Sequence, residues 1–150
     1  MAQTLTRLLV HLVFSTKARE DLITIDVEPD LFAYIGGICR GHGCTLLAAG
    51  GTANHVHLLV SMSKTLALSD LLLEIKRDSS HWIKTKGATF AGFHWQDGYG
   101  AFTIGESQID ALTQYIRNQR EHHRTRTFED EYRTLLRRYR VEFDERYLWA

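Results

Sequence analysis

The stretch Asn54-His55-Val56-His57-Leu58-Leu59-Val60 determines the fold and the chemistry expected of this chain. Successive side chains of a β-strand point to opposite faces, and this stretch alternates in that way. The alternate apolar residues from Val56 to Val60 share a face that should belong to the hydrophobic core. His55 and His57 share the opposite face, where they could act as a pair of metal ligands. Paired histidines are also common as plain polar residues on a strand surface, so the pair alone leaves both interpretations open.

The elements around this strand follow the order strand, helix, strand, strand, helix, strand. Residues 7–17 are apolar on both faces, which is typical of a central strand. The other predicted elements are helices over 26–40 and 67–84, strands over 45–49 and 99–104, and a hairpin turn over 50–54. This order predicts an α+β fold with a ferredoxin-like split βαββαβ antiparallel sheet and both helices on one face. The histidine pair would then lie on the other face, which His11 could also reach.

The rest of the chain is predicted to be helical. Helices are expected over 107–123 and 128–140, and the apolar tail ending at Trp149 should dock on the body of the protein. We expect a single domain over residues 1–150, with a sheet core over 1–105 and C-terminal helices and tail over 106–150.

Composition restricts the class of protein. The chain has 150 residues, of which 44% are hydrophobic and 24% charged, as in an ordinary globular domain. It contains no apolar run of the roughly 20 residues that a membrane helix needs, and its first residues do not resemble a signal peptide. We therefore expect a cytoplasmic protein with no membrane partner. Two cysteines are too few for a zinc site built on four cysteines, and they should be free thiols.

The charges are unevenly distributed although the formal net charge is zero. Residues 20–30 contain five acidic and no basic residues, whereas residues 117–140 contain eight arginines and four acidic residues. The planar guanidinium group of arginine matches phosphate oxygens well, so the arginine-rich segment is a candidate nucleic-acid surface. The alternative is a solvent-exposed helix in which Glu129 to Glu131 pair with Arg133 to Arg138.

A helix carrying Tyr115 and Gln119 could complete a site on the histidine strand. These two residues are four apart, so their side chains lie one turn apart on the same side of the predicted helix. Docking of this helix on the open sheet face would bring both towards His55 and His57. Two imidazoles and an amide oxygen could hold a divalent ion, and a neighbouring tyrosine could attack a phosphorus centre. A tyrosine on a helix is more often a packing residue, and that interpretation stays open here.

Several motifs in this order resemble the HUH single-tyrosine transposases of small bacterial insertion sequences, the IS200-like transposases. The motifs are His11-Leu12-Val13-Phe14-Ser15-Thr16-Lys17, His55-Val56-His57, Trp95-Gln96-Asp97-Gly98-Tyr99 and Tyr115-Ile116-Arg117-Asn118-Gln119. Each motif is weak by itself. Their order and spacing make the resemblance specific over most of the chain.

The resemblance implies an enzyme that cleaves and rejoins hairpin-bearing single-stranded DNA. His55, His57 and Gln119 would hold Mg²⁺ or Mn²⁺, and Tyr115 would form a 5′-phosphotyrosine link that leaves a free 3′-hydroxyl. It also implies a homodimer, in which the tyrosine helix can serve the histidine pair of the other subunit. Imidazole ligands by themselves would favour zinc or manganese over magnesium, but a phosphate oxygen in the metal shell favours a harder ion.

Contacts to the DNA backbone are expected from basic residues on two helices. The candidates are Lys76, Arg77, Lys84, Arg117 and Arg120. Trp95 could provide a stacking surface for unpaired bases, or it could belong to the core.

Two other functions compete with this prediction. A cupin-like oxygenase also places His-x-His on a strand, but its double-stranded barrel conflicts with the helical content of this chain. A non-catalytic or domesticated module that binds single-stranded nucleic acid on the same fold is the stronger alternative. Tyr115, Gln119 and both histidines are all present, which favours an active enzyme.

Overall fold

Four antiparallel strands form one sheet in the order β2-β3-β1-β4 in the computed structural model, which describes residues 2–150. The strands are β1 (Leu9–Ser15), β2 (Thr45–Thr52), β3 (His55–Ser61) and β4 (Gly100–Thr103). The two central strands pair with His57 opposite Val13 and Leu59 opposite His11. This order confirms the predicted ferredoxin-like α+β sheet.

Two long helices cover one face of the sheet. They are α1 (Glu28–Gly41), with a proline in its first turn, and α2 (Leu68–Lys84). The predicted core face of β3 packs against them, and the buried cluster includes Val56, Leu58, Val60, Leu31, Ile35, Leu71, Leu72 and Ile75. Within residues 2–150, no helix combines the length and the apolar composition needed to cross a membrane.

The opposite face is covered by the C-terminal helices, as the sequence predicted. A 3₁₀ turn (Glu106–Gln108) leads into α3 (Ile109–Arg117) and α4 (Gln119–His122), followed by α5 (Phe128–Arg138) and α6 (Glu145–Leu148). The prediction of one continuous helix over 107–123 was wrong, because Asn118 at φ −96° and ψ 20° separates α3 from α4. Ile116 of α3 packs on Ala48 and Leu59 of the sheet.

The last helices and the tail dock over β1 and β4. The buried residues of α5 are Phe128, Tyr132, Leu135 and Leu136, which pack with Val13 and Phe102. The Trp149 ring lies 6.0 Å from the Tyr132 ring, and the Arg19 guanidinium lies 4.9 Å from the Trp149 ring. The expected docking of the apolar tail is therefore confirmed.

Gly50 lets α3 approach the sheet backbone closely. The sequence placed residues 50–54 in a hairpin turn, but β2 continues to Thr52 and only Ala53 and Asn54 form the turn. A Cβ atom at Gly50 would lie 2.1 Å from the carbonyl oxygen of Ile116. A glycine in a strand often marks such an approach, and here it sets the position of the helix that carries Tyr115.

We expect Gly50→Ala to displace α3 and to lower the free energy of unfolding by about 1–3 kcal/mol. Urea denaturation followed by circular dichroism would measure the change. Gly92→Ala is the matched control, because a Cβ atom there meets no heavy atom within 4 Å. A Gly50→Ala protein as stable as the Gly92→Ala protein would show that α3 does not depend on this contact.

Candidate functional site

His55 and His57 lie side by side on β3, beneath the C-terminal helices, and both are fully buried. Each has its Nδ1 atom engaged in a hydrogen bond: His55 Nδ1 lies 2.8 Å from Asn54 Oδ1, and His57 Nδ1 lies 2.8 Å from His11 Nε2. A hydrogen bond at one ring nitrogen orients the other nitrogen for a metal ion, as is usual for metal-binding histidines. His11 is therefore part of the site, as a residue that orients His57.

Gln119, the first residue of α4, reaches the same space. Its side chain is buried, and its Oε1 atom lies 2.9 Å from His55 Nε2. Its amide nitrogen donates a hydrogen bond of 3.0 Å to Glu131 Oε2. The structure thus brings together the three side chains that the sequence analysis proposed as metal ligands.

Glu131 of α5 is the central acidic residue of the site, and the sequence analysis missed it. Its carboxylate is only 2% exposed, and Oε1 lies 2.9 Å from His57 Nε2 and 3.6 Å from His55 Nε2. The alternative that placed it on a salt-bridged solvent face is wrong for this residue. Its position in the stripe Phe128, Glu131, Tyr132, Leu135, Leu136 was the available signal, because that spacing marks the buried side of a helix.

His123 is a second residue that the sequence analysis did not place in the site. Its Nε2 atom lies 3.0 Å from both Glu131 Oε1 and Gln119 Oε1, and its Nδ1 lies 2.7 Å from the carbonyl oxygen of Arg126. The spacing of four residues from Gln119 could have indicated this neighbour. His123 therefore holds two of the oxygen donors in position.

The protonation states suit a metal centre. Burial, and after it the neighbouring His57, lower the pKa of His55 to about 3, so the imidazole is neutral at pH 7. Burial alone would raise the pKa of Glu131, but hydrogen bonds from His123 and His57 outweigh it and hold the pKa well below its usual range. A neutral imidazole and an ionised carboxylate are the forms that bind metal ions.

Tyr115, near the end of α3, lies directly against this cluster. Its hydroxyl group donates a hydrogen bond to Glu131 Oε2, and its ring centre lies 5.8 Å from that of His57. Burial and then the charge of Glu131 raise the pKa of the Tyr115 phenol above its usual range. The predicted nucleophile is thus a protonated phenol held beside an ionised carboxylate.

The donor set fits a divalent metal ion. One ligand atom each from His55, His57 and Glu131 lies within 4.8 Å of the others. The Gln119 amide oxygen, 2.9 Å from His55 Nε2, adds a fourth donor beside these three. Two imidazoles with carboxylate and amide oxygens suit ions such as Mn²⁺, and also Mg²⁺ when phosphate oxygens complete the shell.

Two of the predicted DNA contacts are instead structural. The Lys76 ammonium donates to the carbonyl oxygens of Gln96, Asp97 and Gly98 at 2.9, 3.2 and 2.6 Å, and burial lowers its pKa to about 8. Lys76 therefore holds this loop and has no free hydrogen for a phosphate. Trp95 is 4% exposed, because its ring packs edge-on against Phe14 and its Nε1 donates to Ser79 Oγ at 3.0 Å.

The remaining basic candidates lie on the surface. Arg77 pairs with Glu74 and Asp78, and Arg120 pairs with Glu28. Within residues 2–150, Lys84 and Arg117 are exposed and form no ion pair with an acidic side chain. Arg120 lines a cavity of about 670 Å³ together with His123 of the site.

Comparison with known proteins identifies similar chains. A family profile described as "Transposase IS200 like" matches residues 4–119. The ISDra2 transposase TnpA of Deinococcus radiodurans is 23% identical over 116 residues, which are 74% of this chain and 83% of that protein.

Solved structures show the same fold. A crystal structure described as that of a transposase from Deinococcus radiodurans R1 matches with a TM-score of 0.62 and 24% identity, over 79% of this chain and 95% of that chain. The structure of a REP-associated tyrosine transposase bound to a REP hairpin matches with a TM-score of 0.55 and 15% identity, over 77% of this chain and 70% of that chain.

Proposed function

Because the chain belongs to the IS200-like transposase family, we propose that it cleaves and rejoins hairpin-bearing single-stranded DNA through a covalent link to Tyr115. The observation that carries this proposal is the single hydrogen-bonded cluster formed by Tyr115, Glu131 and His57. A nucleophile, a carboxylate that can accept its proton and a pair of metal ligands are suited to phosphoryl transfer by a tyrosine.

We propose that His55, His57 and Gln119 hold a divalent ion, Mg²⁺ or Mn²⁺, and that Glu131 is a further ligand. The carboxylate adds a hard, charged oxygen to a set that would otherwise consist of two imidazoles and a neutral amide. When bound, the ion would withdraw charge from the phosphate oxygens of the DNA.

The cleavage step exchanges one phosphate ester for another. The Tyr115 oxygen forms a bond to the phosphorus atom, the bond from phosphorus to the 3′-oxygen breaks, and that oxygen leaves as a 3′-hydroxyl. Glu131 Oε2, which accepts the hydrogen bond of the phenol, would take up its proton, and the departing 3′-oxygen would gain one proton in exchange, so that the step balances. The 5′-phosphotyrosine is itself a phosphodiester, so the free energy of the broken DNA bond is conserved and the strand can be rejoined without a nucleotide cofactor.

The proposed substrate class is supported by the family and by one solved relative. A structural neighbour of this chain binds a REP hairpin, and by analogy we propose a hairpin next to a single strand as the substrate. Arg117, Arg120, Arg77 and Lys84 are the basic residues that we propose for phosphate contacts, since their side chains are exposed.

The direct test of this function is the detection of the covalent adduct. Hairpin oligonucleotides with labelled single-stranded flanks would be incubated with the protein and Mn²⁺ and then separated by denaturing electrophoresis. We expect a labelled band that migrates with the protein and that is absent when EDTA replaces Mn²⁺. Hairpin binding without any adduct would instead favour the non-catalytic binding module.

The arrangement of the site predicts how two inactive variants behave when mixed. The Tyr115 ring lies 5.8 Å from the His57 ring of its own chain, so we expect mixtures of Tyr115→Phe and His57→Ala proteins to remain inactive. The homodimer stays a prediction, to be measured by light scattering. Recovery of adduct formation in the mixture would show that the tyrosine helix serves the partner subunit instead.

A further inference from the structure

A cavity of about 240 Å³ opens beside Tyr115, where α3 and α5 meet. Tyr115 and His11 both line it, so it is continuous with the cluster of metal ligands and nucleophile. The cleavage step itself does not use this space. Because Tyr115 lines the cavity, a DNA strand whose scissile phosphate reaches Tyr115 can place an adjoining nucleotide at this opening.

The walls of the cavity suit a flat, apolar-faced group. Leu112 and Leu135 provide aliphatic surface, and the Tyr139 ring stands at one side, held by the Phe102 ring at a centre-to-centre distance of 4.9 Å. Enzymes that act on nucleic acids commonly receive an unpaired base between aromatic and apolar side chains. A charged phosphate would be poorly solvated among these walls, so the base is the part of the nucleotide that fits.

The rim of the cavity carries groups that suit the rest of the nucleotide. Arg138 is exposed, lines the cavity, and forms no ion pair within residues 2–150. The guanidinium groups of two nearby arginines have partners within the protein, since Arg133 pairs with Glu145 and Arg137 lies over the Phe143 ring. A free guanidinium at the mouth of an apolar slot matches a phosphate next to an inserted base.

We propose that this cavity binds the base of the nucleotide adjoining the scissile phosphate, with Tyr139 against the base and Arg138 on a flanking phosphate. The inference rests on the proposed function and adds that the protein recognises one nucleotide base next to the scissile phosphate. A pocket that admits one base makes cleavage depend on that nucleotide as well as on the hairpin.

The test measures binding to hairpin oligonucleotides in which a single abasic nucleotide is moved along the single strand. Affinities are read by fluorescence anisotropy in EDTA, so that no cleavage occurs. We expect one abasic position in the single strand to weaken wild-type binding about tenfold. If the protein also cleaves this DNA, the location of that position before or after the cut identifies which adjoining nucleotide enters the cavity.

Two variants assign the effect to the cavity. Tyr139→Leu should weaken binding to intact DNA about tenfold but should cause little further loss on the abasic DNA, because the same contact is already missing. Arg138→Ala should weaken binding to intact DNA, whereas Arg137→Ala, an exposed arginine outside the cavity, should not. Matching thermal midpoints would show that these proteins are folded.

Three results would overturn the proposal. The first is that no abasic position weakens DNA binding. The second is that Tyr139→Leu weakens binding to the abasic DNA by the same factor as binding to intact DNA, and the third is that Arg137→Ala and Arg138→Ala weaken binding equally. Because binding is measured without metal, the outcome is independent of catalysis. If binding depends on one base but no adduct forms, the proposed cleavage is wrong and the proposed pocket stands. If an adduct forms but binding depends on no single base, the proposed pocket is wrong and the proposed cleavage stands.

Discussion

The Tyr115→Phe variant should form no covalent adduct with hairpin-bearing single-stranded DNA, and its cleavage rate should fall by about 10⁴-fold or more. Phenylalanine keeps the ring that packs against His57 and His122 but lacks the oxygen that would attack the phosphate. Glu131 Oε2 loses one hydrogen bond and keeps the one from Gln119, so the loss of stability should be about 1 kcal/mol. The adduct is measured by denaturing electrophoresis, and DNA binding by anisotropy should change little.

Tyr147→Phe is the matched control for this variant. Tyr147 is 69% exposed on α6 and lies outside the cluster, so its replacement should leave adduct formation unchanged. If Tyr115→Phe still forms the adduct, the nucleophile is another residue and the proposed chemistry is wrong.

The His57→Ala variant should lose metal binding and cleavage together. We expect the affinity for Mn²⁺, measured by calorimetry, to fall by about a hundredfold or more, because a ligand and its oriented hydrogen bond to His11 are both removed. His81→Ala is the control, since His81 is exposed on α2, on the other side of the sheet. Both proteins should be compared with the wild type at equal concentration.

His57 is also a buried structural residue, so folding needs its own check. Glu131→Gln keeps the size of the side chain and removes the charge, and it should weaken Mn²⁺ binding about tenfold or more in a protein that still folds. If both variants fold and bind Mn²⁺ as tightly as the wild type, the metal lies elsewhere. Loss of folding in His57→Ala with normal binding in Glu131→Gln would make the cluster a structural network.

The part of the site that follows from local periodicity could be predicted from the sequence. Alternation along β3 placed His55 and His57 on one face, and the spacing of Tyr115 and Gln119 placed both on one side of a helix. To predict that the four side chains form one site, these two patterns needed only the additional expectation that the helix docks on the open sheet face. The structure brings the four side chains together even though Asn118 divides that helix.

The rest depended on contacts that no local pattern encodes. Glu131 meets His57 only because α5 packs over β1, and the two residues are 74 positions apart in the chain. Lys76 looked like a surface cation on an amphipathic helix. Its actual partners are carbonyl oxygens of an irregular loop, and no sequence pattern predicts where those oxygens point. For Trp95 the sequence left open both a stacking surface for bases and a place in the core, and its burial follows from packing against Phe14 and Phe93.

The separation of His57 and Glu131 also fixes when the centre can form during biosynthesis. Chains leave the ribosome N-terminus first, so β3 with its two histidines emerges before α5 with its carboxylate. The histidines would emerge early, and Glu131 would follow 74 residues later. A nascent chain should therefore be unable to complete this cluster until α5 has folded.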